Sequence, residues 1–268
     1  DFYGQAHLVS EGKPIYKMAS DGVVHSMILW GPPGTGKTTL AELLATHSEA
    51  DWVSLSAVLS GVKDVRAVIQ QAQALQAEAG RKTVLFVDEV HRFNKGQQDA
   101  FLPAIEDGSI RFIGATTENP SFHLNNALLS RCRVFVLQPL CDAALSEMID
   151  RALVWVKEHE SRHVVLSAEQ KAVLIQRSGG DGRSCLNALE MVLDFVEEEA
   201  SGRILLSDEA FLSLVSQPLA RMDRQGDHFY DTISAFRKSI LGSDPDGARF
   251  LMVRMVKGGV DMADTARR

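Results

Sequence analysis

The chain has 268 residues, 45% of them hydrophobic and 24% charged, with a formal net charge of −7. That composition is ordinary for a globular chain, long enough for one large domain or roughly two or three small ones. It excludes a membrane-spanning class, since no apolar run approaches the roughly 20 residues of a span, and it excludes a globally basic nucleic-acid coat. Any DNA or RNA contact must therefore be local. The first residues given do not read as the charged and apolar regions of a secretory leader. Cys132, Cys141 and Cys185 show no paired metal spacing and read as reduced thiols of a cytoplasmic protein.

In chain order, a leading segment of about 24 residues turns at Gly12-Lys13-Pro14 and carries a short helix over 15–19. The run ILWGPPGTGKTT (28–39) follows: a short apolar strand, a glycine-rich turn, then a helix over 38–48. Gly31, Gly36, Lys37 and Thr38 meet the phosphate-loop spacing G-x-x-x-x-G-K-S/T. Glycines let backbone N–H groups converge on phosphate oxygens, and the helix N-terminus adds its dipole. Pro33, Gly34, Thr35, Gly36, Lys37, Thr38 and Thr39 are the expected nucleotide cradle. Lys37 is expected to bridge the β- and γ-phosphates and Thr38 to hold Mg²⁺. ATP and Mg²⁺ are the cofactors this implies.

A strand over 51–57 and an amphipathic helix over 62–80 come next. TVLFV (83–87) is a fully buried strand type ending on Asp88-Glu89. Carboxylates at the tip of such a strand sit where these folds do metal and water chemistry. Asp88 is expected to hold Mg²⁺ and Glu89 to orient the attacking water. A helix is predicted from Phe93-Asn94 to Glu106, capped by Asn94 and weakened by Pro103. The strand 110–115 ends at Thr116-Thr117, and Thr117 is the candidate for γ-phosphate or water contact. A short helix over 125–129 and a strand over 134–137 complete this part, an α/β region with a parallel sheet over 1–139.

Beyond Pro139 the strand signals nearly vanish, and 140–217 reads as a small all-helical lid. Its first helix carries Leu145, Met148, Ile149, Ala152 and Trp155 on one stripe. Ser167 caps a second helix running to Ser178. Asp181 caps a third, with Leu186, Leu189, Leu193 and Val196 on one face, and a fourth covers 208–216. Residues 218–226 read as a linker opening a third region, 218–268. There Phe229, Ile233, Phe236 and Ile240, then Ala248, Leu251, Met252 and Met255, form two helical stripes before the opening of another helix. These stripes have too few partners to bury themselves, and no initiator Met stands at position 1. Both features read as a fragment of a longer chain.

HSMILWGPPGTGKTTLAE, FVDEVHRFNKGQQDAFLPAIEDG, FIGATTENPSFHLNNALLSRCRVF and SAFRKSILGSDPD, with Gly180-Asp181-Gly182-Arg183, together resemble an AAA+ ATPase of the clamp-loader and Holliday-junction-motor branch. More narrowly, they resemble the replication-associated recombination protein A family, whose eukaryotic members are Werner-helicase-interacting ATPases. The resemblance covers almost the whole chain. It implies a DNA-dependent ATPase of stalled or damaged replication forks, active in replication, recombination and repair. It also implies a homotetramer built by a C-terminal helical domain, a link to single-strand-binding protein, and a bacterial, cytoplasmic, nucleoid-associated setting. Arg131 is by resemblance the arginine finger that reaches a neighbour's γ-phosphate, and Arg183 the lid arginine that reaches its own subunit's nucleotide. Gly182 stands where the family commonly has alanine, which predicts a lid helix looser by up to about 1 kcal/mol.

Two other readings share the same site residues. One is a nucleotide-gated, clamp-loader-like binding module that uses hydrolysis only as reset. The other is a helicase, since Asp88-Glu89-Val90-His91 also fits a D-E-x-H box. For DNA contact the candidate loop is His91-Arg92-Phe93-Asn94-Lys95, with Arg92 and Lys95 as the phosphate-binding cations. Phe93 itself is expected to pack inward.

Overall fold

The structure is a computed structural model that describes residues 2–160, 162–194, 203–205, 211 and 227–257. Residues Asp1–Ser216 form one compact unit and Gln217–Arg268 a second. The first unit opens with α1 (Ala6–Val9) and α2 (Pro14–Ser20). Five parallel strands then order themselves as β2-β3-β4-β1-β5, with β1 Met27–Trp30, β2 Asp51–Ser56, β3 Thr83–Asp88, β4 Ile110–Thr116 and β5 Arg133–Val136. Helix α3 (Lys37–His47) follows β1, and α4 (Val62–Ala79) follows β2.

Strand periodicity explains the continuous apolar runs. Met27, Leu29, Val84, Phe86, Ile113 and Ala115 face one layer, where Leu40, Ala41 and Leu44 of α3 cover them. Ile28, Leu85, Val87, Ile110 and Phe112 face the other, against Val65 and Ala72 of α4. A strand buried on both faces has no polar alternation to show. All strands point the same way, so their C-terminal tips share one edge: Trp30 pairs with Thr116, and Ser56 with Asp88. Strand β1 leads to α3 and lies between β4 and β5, so the chain reverses its winding there, and a crevice forms at such a switch point.

The helix expected over 93–106 is interrupted. A single 3₁₀ turn (Val90–Arg92) precedes α5 (Lys95–Asp99) and α6 (Leu102–Glu106). Pro103 sits in the first turn of α6, where its missing N–H costs nothing, so the break falls before the proline. Asn94 caps α5 as expected, its side chain accepting the Gln97 N–H at 3.0 Å. Helices α7 (Pro120–His123) and α8 (Asn126–Leu129) lead into β5.

The lid comprises α9 (Asp142–Glu160), α10 (Ala168–Ser178) and α11 (Gly182–Asp194), around a core that includes Leu145, Ile149, Leu174, Cys185 and Leu189. Ser167 caps α10, its Oγ accepting the Gln170 N–H. The lid also holds two strands that the sequence did not announce. β6 (His163–Val165) pairs in parallel with β7 (Arg203–Leu205), and three residues each are too few to give a periodic signal. Two stripe assignments change. Trp155 is 50% exposed and stacks on His159, while Val156 points inward. Leu186 is 37% exposed, and Cys185 and Val192 take the buried face of α11. In the second unit, helices Asp227–Leu241 and Pro245–Lys257 follow each other across a short turn and contact one another. The expected helix 208–216, the linker 218–226, the helix at the C-terminus and Val196 lie outside the described residues.

Candidate nucleotide site

Gly36, at φ 92, is the N-cap of α3 and offers no side chain to cap it, so the first-turn N–H groups are left to whatever anion arrives. Gly34 (φ 67) bends the loop before it. Thr35 is buried and fixes the turn by donating from Oγ1 to the Pro32 carbonyl at 2.9 Å. Pro33 and Thr39 are exposed, and Thr38 is half-buried at the start of α3. Lys37 Nζ donates to the carbonyls of Gly31 at 2.7 Å and Pro32 at 2.8 Å, which holds the amine across the mouth of the loop.

Burial pushes the Lys37 amine down to about 8, against the pull of Glu89 and Asp88, while Arg183 lowers it further and Asp181 opposes. These four side chains are the charges that act on Lys37, so residues from β3, from the turn after it and from the lid converge on the phosphate loop. Asp88 Oδ1 accepts the Glu89 N–H at 3.1 Å. Glu89 itself is left-handed, at φ 52 and ψ 44. Burial and the neighbouring Asp88 charge raise its carboxyl above the usual range, and Lys37, Arg92 and the Thr117 hydroxyl hold it down. Thr117 Oγ1 reaches Glu89 Oε2 at 3.5 Å, the long limit of a hydrogen bond.

The lid docks directly on the loop. The Gly182 N–H donates to the Gly34 carbonyl at 3.0 Å. A Cβ at Gly182 would lie 3.1 Å from that carbonyl oxygen and 2.9 Å from Leu140 Cδ1. Glycine therefore allows the close approach here, and α11 forms regardless, with Asp181 Oδ1 accepting the Ser184 N–H at 2.9 Å. Arg183 follows in the first turn, exposed on the side whose charge reaches Lys37. From the other direction, buried Gln5 donates from Nε2 to the carbonyls of Thr35 (3.3 Å) and Gln138 (2.6 Å), and accepts the Gln138 N–H at 2.9 Å. One amide thus ties the loop to the chain leaving β5.

Arg131 does not join the charges around Lys37. Its Nε donates to Glu106 Oε1 at 2.7 Å, Nη2 pairs with the same oxygen, and Nη1 donates to the Ala127 carbonyl at 2.8 Å. In the proposed DNA loop, Phe93 is buried against Phe101, with ring centroids 5.8 Å apart, as expected. Lys95 is exposed, and the Arg92 charge acts on Glu89. His91 was grouped with that loop, but its ring instead lies 3.3 Å from Glu89 Oε2. The D-E-x-H spacing was the signal available for it. Gln5, Asp181 and Glu106 carried none, because their partners are remote in sequence.

The donor set suits a nucleotide with its metal: Gly36 leaves the first turn of α3 uncapped, Lys37 sits across the mouth, and the Asp88 carboxylate lies within reach of the Lys37 charge. Among the described residues no group of His, Cys, Asp and Glu is placed to hold a metal on its own. No helix among the described residues is long and apolar enough to cross a membrane.

Comparison with known proteins agrees with this geometry. The model of the ATPase family associated with various cellular activities (AAA) matches residues 27–140, and that of the AAA C-terminal domain matches residues 160–240. Replication-associated recombination protein A of Escherichia coli is 48% identical over 268 residues, which cover 100% of this chain and 60% of that protein. ATPase WRNIP1 of Dictyostelium discoideum is 39% identical over 283 residues, 100% of this chain and 32% of that protein. Among solved structures, the Thermotoga maritima RuvB Holliday junction branch migration motor is similar with a TM-score of 0.63 and 25% identity, over 98% of this chain and 84% of that one. The chain therefore spans 60% of the length of the bacterial relative. From end to end the chain is thus similar to replication-associated recombination protein A, and it carries an AAA domain followed by an AAA C-terminal domain, with the phosphate loop, strand-tip carboxylates and docked lid in place.

Proposed function

We propose that this chain is the ATP-hydrolysing core of a DNA-dependent ATPase that acts in replication-fork maintenance, recombination and repair, with each site completed by a neighbouring subunit. The observation that carries this reading is the convergence of Asp88, Glu89 and Arg183 on Lys37. Phosphoryl transfer is mostly positioning and charge neutralisation. The first-turn N–H groups of α3 and the Lys37 amine bind the β- and γ-phosphates. Thr38 and Asp88 would hold Mg²⁺, which when bound neutralises phosphate charge. Glu89 orients the attacking water and takes up its proton, for which a raised carboxyl is suited. Thr117, hydrogen-bonded to Glu89, faces the same water. Arg183 reports the nucleotide to the lid through the Gly182–Gly34 contact.

Arg131, engaged with Glu106 in a lone subunit, is the residue presented to the neighbour. The name of the Escherichia coli relative, Replication-associated recombination protein A, supports a DNA substrate, with exposed Lys95 and Arg92 as the cations for its phosphates. A homotetramer and an association with single-strand-binding protein complete the proposal.

The test is ATP turnover by the full-length protein across single-stranded, blunt, gapped and forked DNA. DNA should stimulate wild-type turnover. Arg131→Ala should abolish it, a loss on the order of 10³–10⁵-fold for an arginine finger, while nucleotide still binds. Glu89→Gln should bind ATP without hydrolysing it. Normal turnover by Arg131→Ala would remove the in-trans role. A rate indifferent to DNA but raised by a protein partner would favour the gated binding module.

A further inference from the structure

The turn after β3 holds a histidine that the scheme above leaves unused. His91 lies in the 3₁₀ turn Val90–Arg92, with its side chain 11% exposed. Nδ1 is 2.9 Å from Thr116 Oγ1 and 3.3 Å from Glu89 Oε2. A hydroxyl carries one proton and two lone pairs. Buried Thr116 Oγ1 accepts the Glu118 N–H at 3.0 Å and donates to the Glu118 carbonyl at 3.2 Å. With that proton committed, the hydroxyl only accepts from His91. An ionised carboxylate likewise only accepts. Both neighbours therefore favour the proton on Nδ1, whose hydrogen bond goes to Thr116 at the tip of β4 while the Glu89 carboxylate lies beside it at 3.3 Å.

Two further features give this contact a consequence. Thr117 Oγ1 also reaches Oε2 of Glu89, so both contacts fall on the same carboxylate oxygen. Glu89 also occupies a left-handed conformation, which a non-glycine residue keeps only when its surroundings hold it there.

We propose that His91 is a positioning residue for hydrolysis. Its Nδ1–H locks the Glu89 carboxylate to Thr116, so that the carboxylate and the strand that carries Thr117 move as one body. The proposal rests on the hydrolytic reading of the site.

The experiment uses the full-length protein. His91→Ala should lower kcat on the order of 10- to 100-fold, as expected when a catalytic group is misplaced by about 1 Å, with ATP KM and dissociation constant changed by less than about twofold. His91→Asn, whose side-chain amide nitrogen takes the place of Nδ1, should recover to within about threefold of wild type, and His91→Leu should not. In a Glu89→Gln background, His91→Ala should change the residual rate by less than about twofold, because the group it positions is already gone. Nitrogen-15 NMR of the wild-type ring should show the Nδ1–H tautomer. Unchanged turnover of His91→Ala beside an active wild type would overturn the proposal. So would a full multiplicative loss in the Glu89→Gln background, or a proton on Nε2 alone. A wild type that hydrolyses nothing would refute the hydrolytic function instead, and the tautomer would still decide whether His91 holds the carboxylate.

Discussion

The contact between lid and phosphate loop makes Gly34→Ala the most informative single change. At φ 67, alanine incurs the left-handed penalty of about 1–2 kcal/mol. Its Cβ would also fall 1.7 Å from Asp181 Oδ1 and 2.4 Å from Asp181 Cγ, so Asp181 must move. Moving it breaks the cap on the Ser184 N–H, a loss of about 0.5–2 kcal/mol. The sum, about 1.5–4 kcal/mol, corresponds to a fall in melting temperature of about 3–16 °C for a unit of this size. Thermal unfolding followed by circular dichroism measures it. A companion set separates the two causes. Asp181→Ala should lose only the cap, and the double variant should lose at least about 1 kcal/mol less than the two single losses combined, because alanine at 181 removes the colliding atoms. A Gly34→Ala protein that melts with wild type, or strict additivity in the double variant, would refute the close approach of lid and loop.

Lys37 gives a pH prediction. Its amine sits at about 8 in the folded chain against 10.5 when unfolded, so between those values the unfolded state binds more protons and the contribution of Lys37 to stability rises with pH. Nucleotide affinity moves the other way, because phosphate needs the charged amine. Calorimetric titration should find ATP binding roughly tenfold weaker at pH 9 than at pH 7, and a flat profile across that range would count against the buried amine. Burial pushes the Cys132 thiol up to about 12 and Cys185 up to about 11, whereas Cys141 is exposed. Alkylation of the native protein near neutral pH, read by mass spectrometry, should therefore mark Cys141 and spare the other two until unfolding. Gln5→Ala leaves the Gln138 N–H and two carbonyls without their buried partner and should cost about 1–3 kcal/mol by denaturant titration. A variant of wild-type stability would show that water replaces the amide there.

The sheet was legible because its central strands β1, β3 and β4 are buried on both faces. MILW and TVLFVD are continuous apolar runs that end on the residues the site uses. Glycine spacing placed Lys37 and Thr38, and strand ends placed Asp88, Glu89 and Thr117. What escaped was set by tertiary contacts. His91 meets Thr116 across 25 residues of sequence, and Gln5 meets Gln138 across 133. Apolarity alone put Trp155 and Leu186 inside, but the buried stripe of each helix is narrower than its apolar content. Pro103 was seen, yet its position in a first turn rather than a helix interior depends on where the chain breaks, and the break falls at Ala100–Phe101.

The pairing of Arg131 with Glu106 bears on what it takes to free the arginine. It is a solvent-facing ion pair, with side chains 34% and 54% exposed, of a kind that contributes about 0–1 kcal/mol. Releasing the guanidinium swings one side chain while the β5 backbone and the packed layers keep their places. If Arg131 serves a neighbouring subunit as proposed, engaging that neighbour is a rearrangement at the rim that needs no refolding.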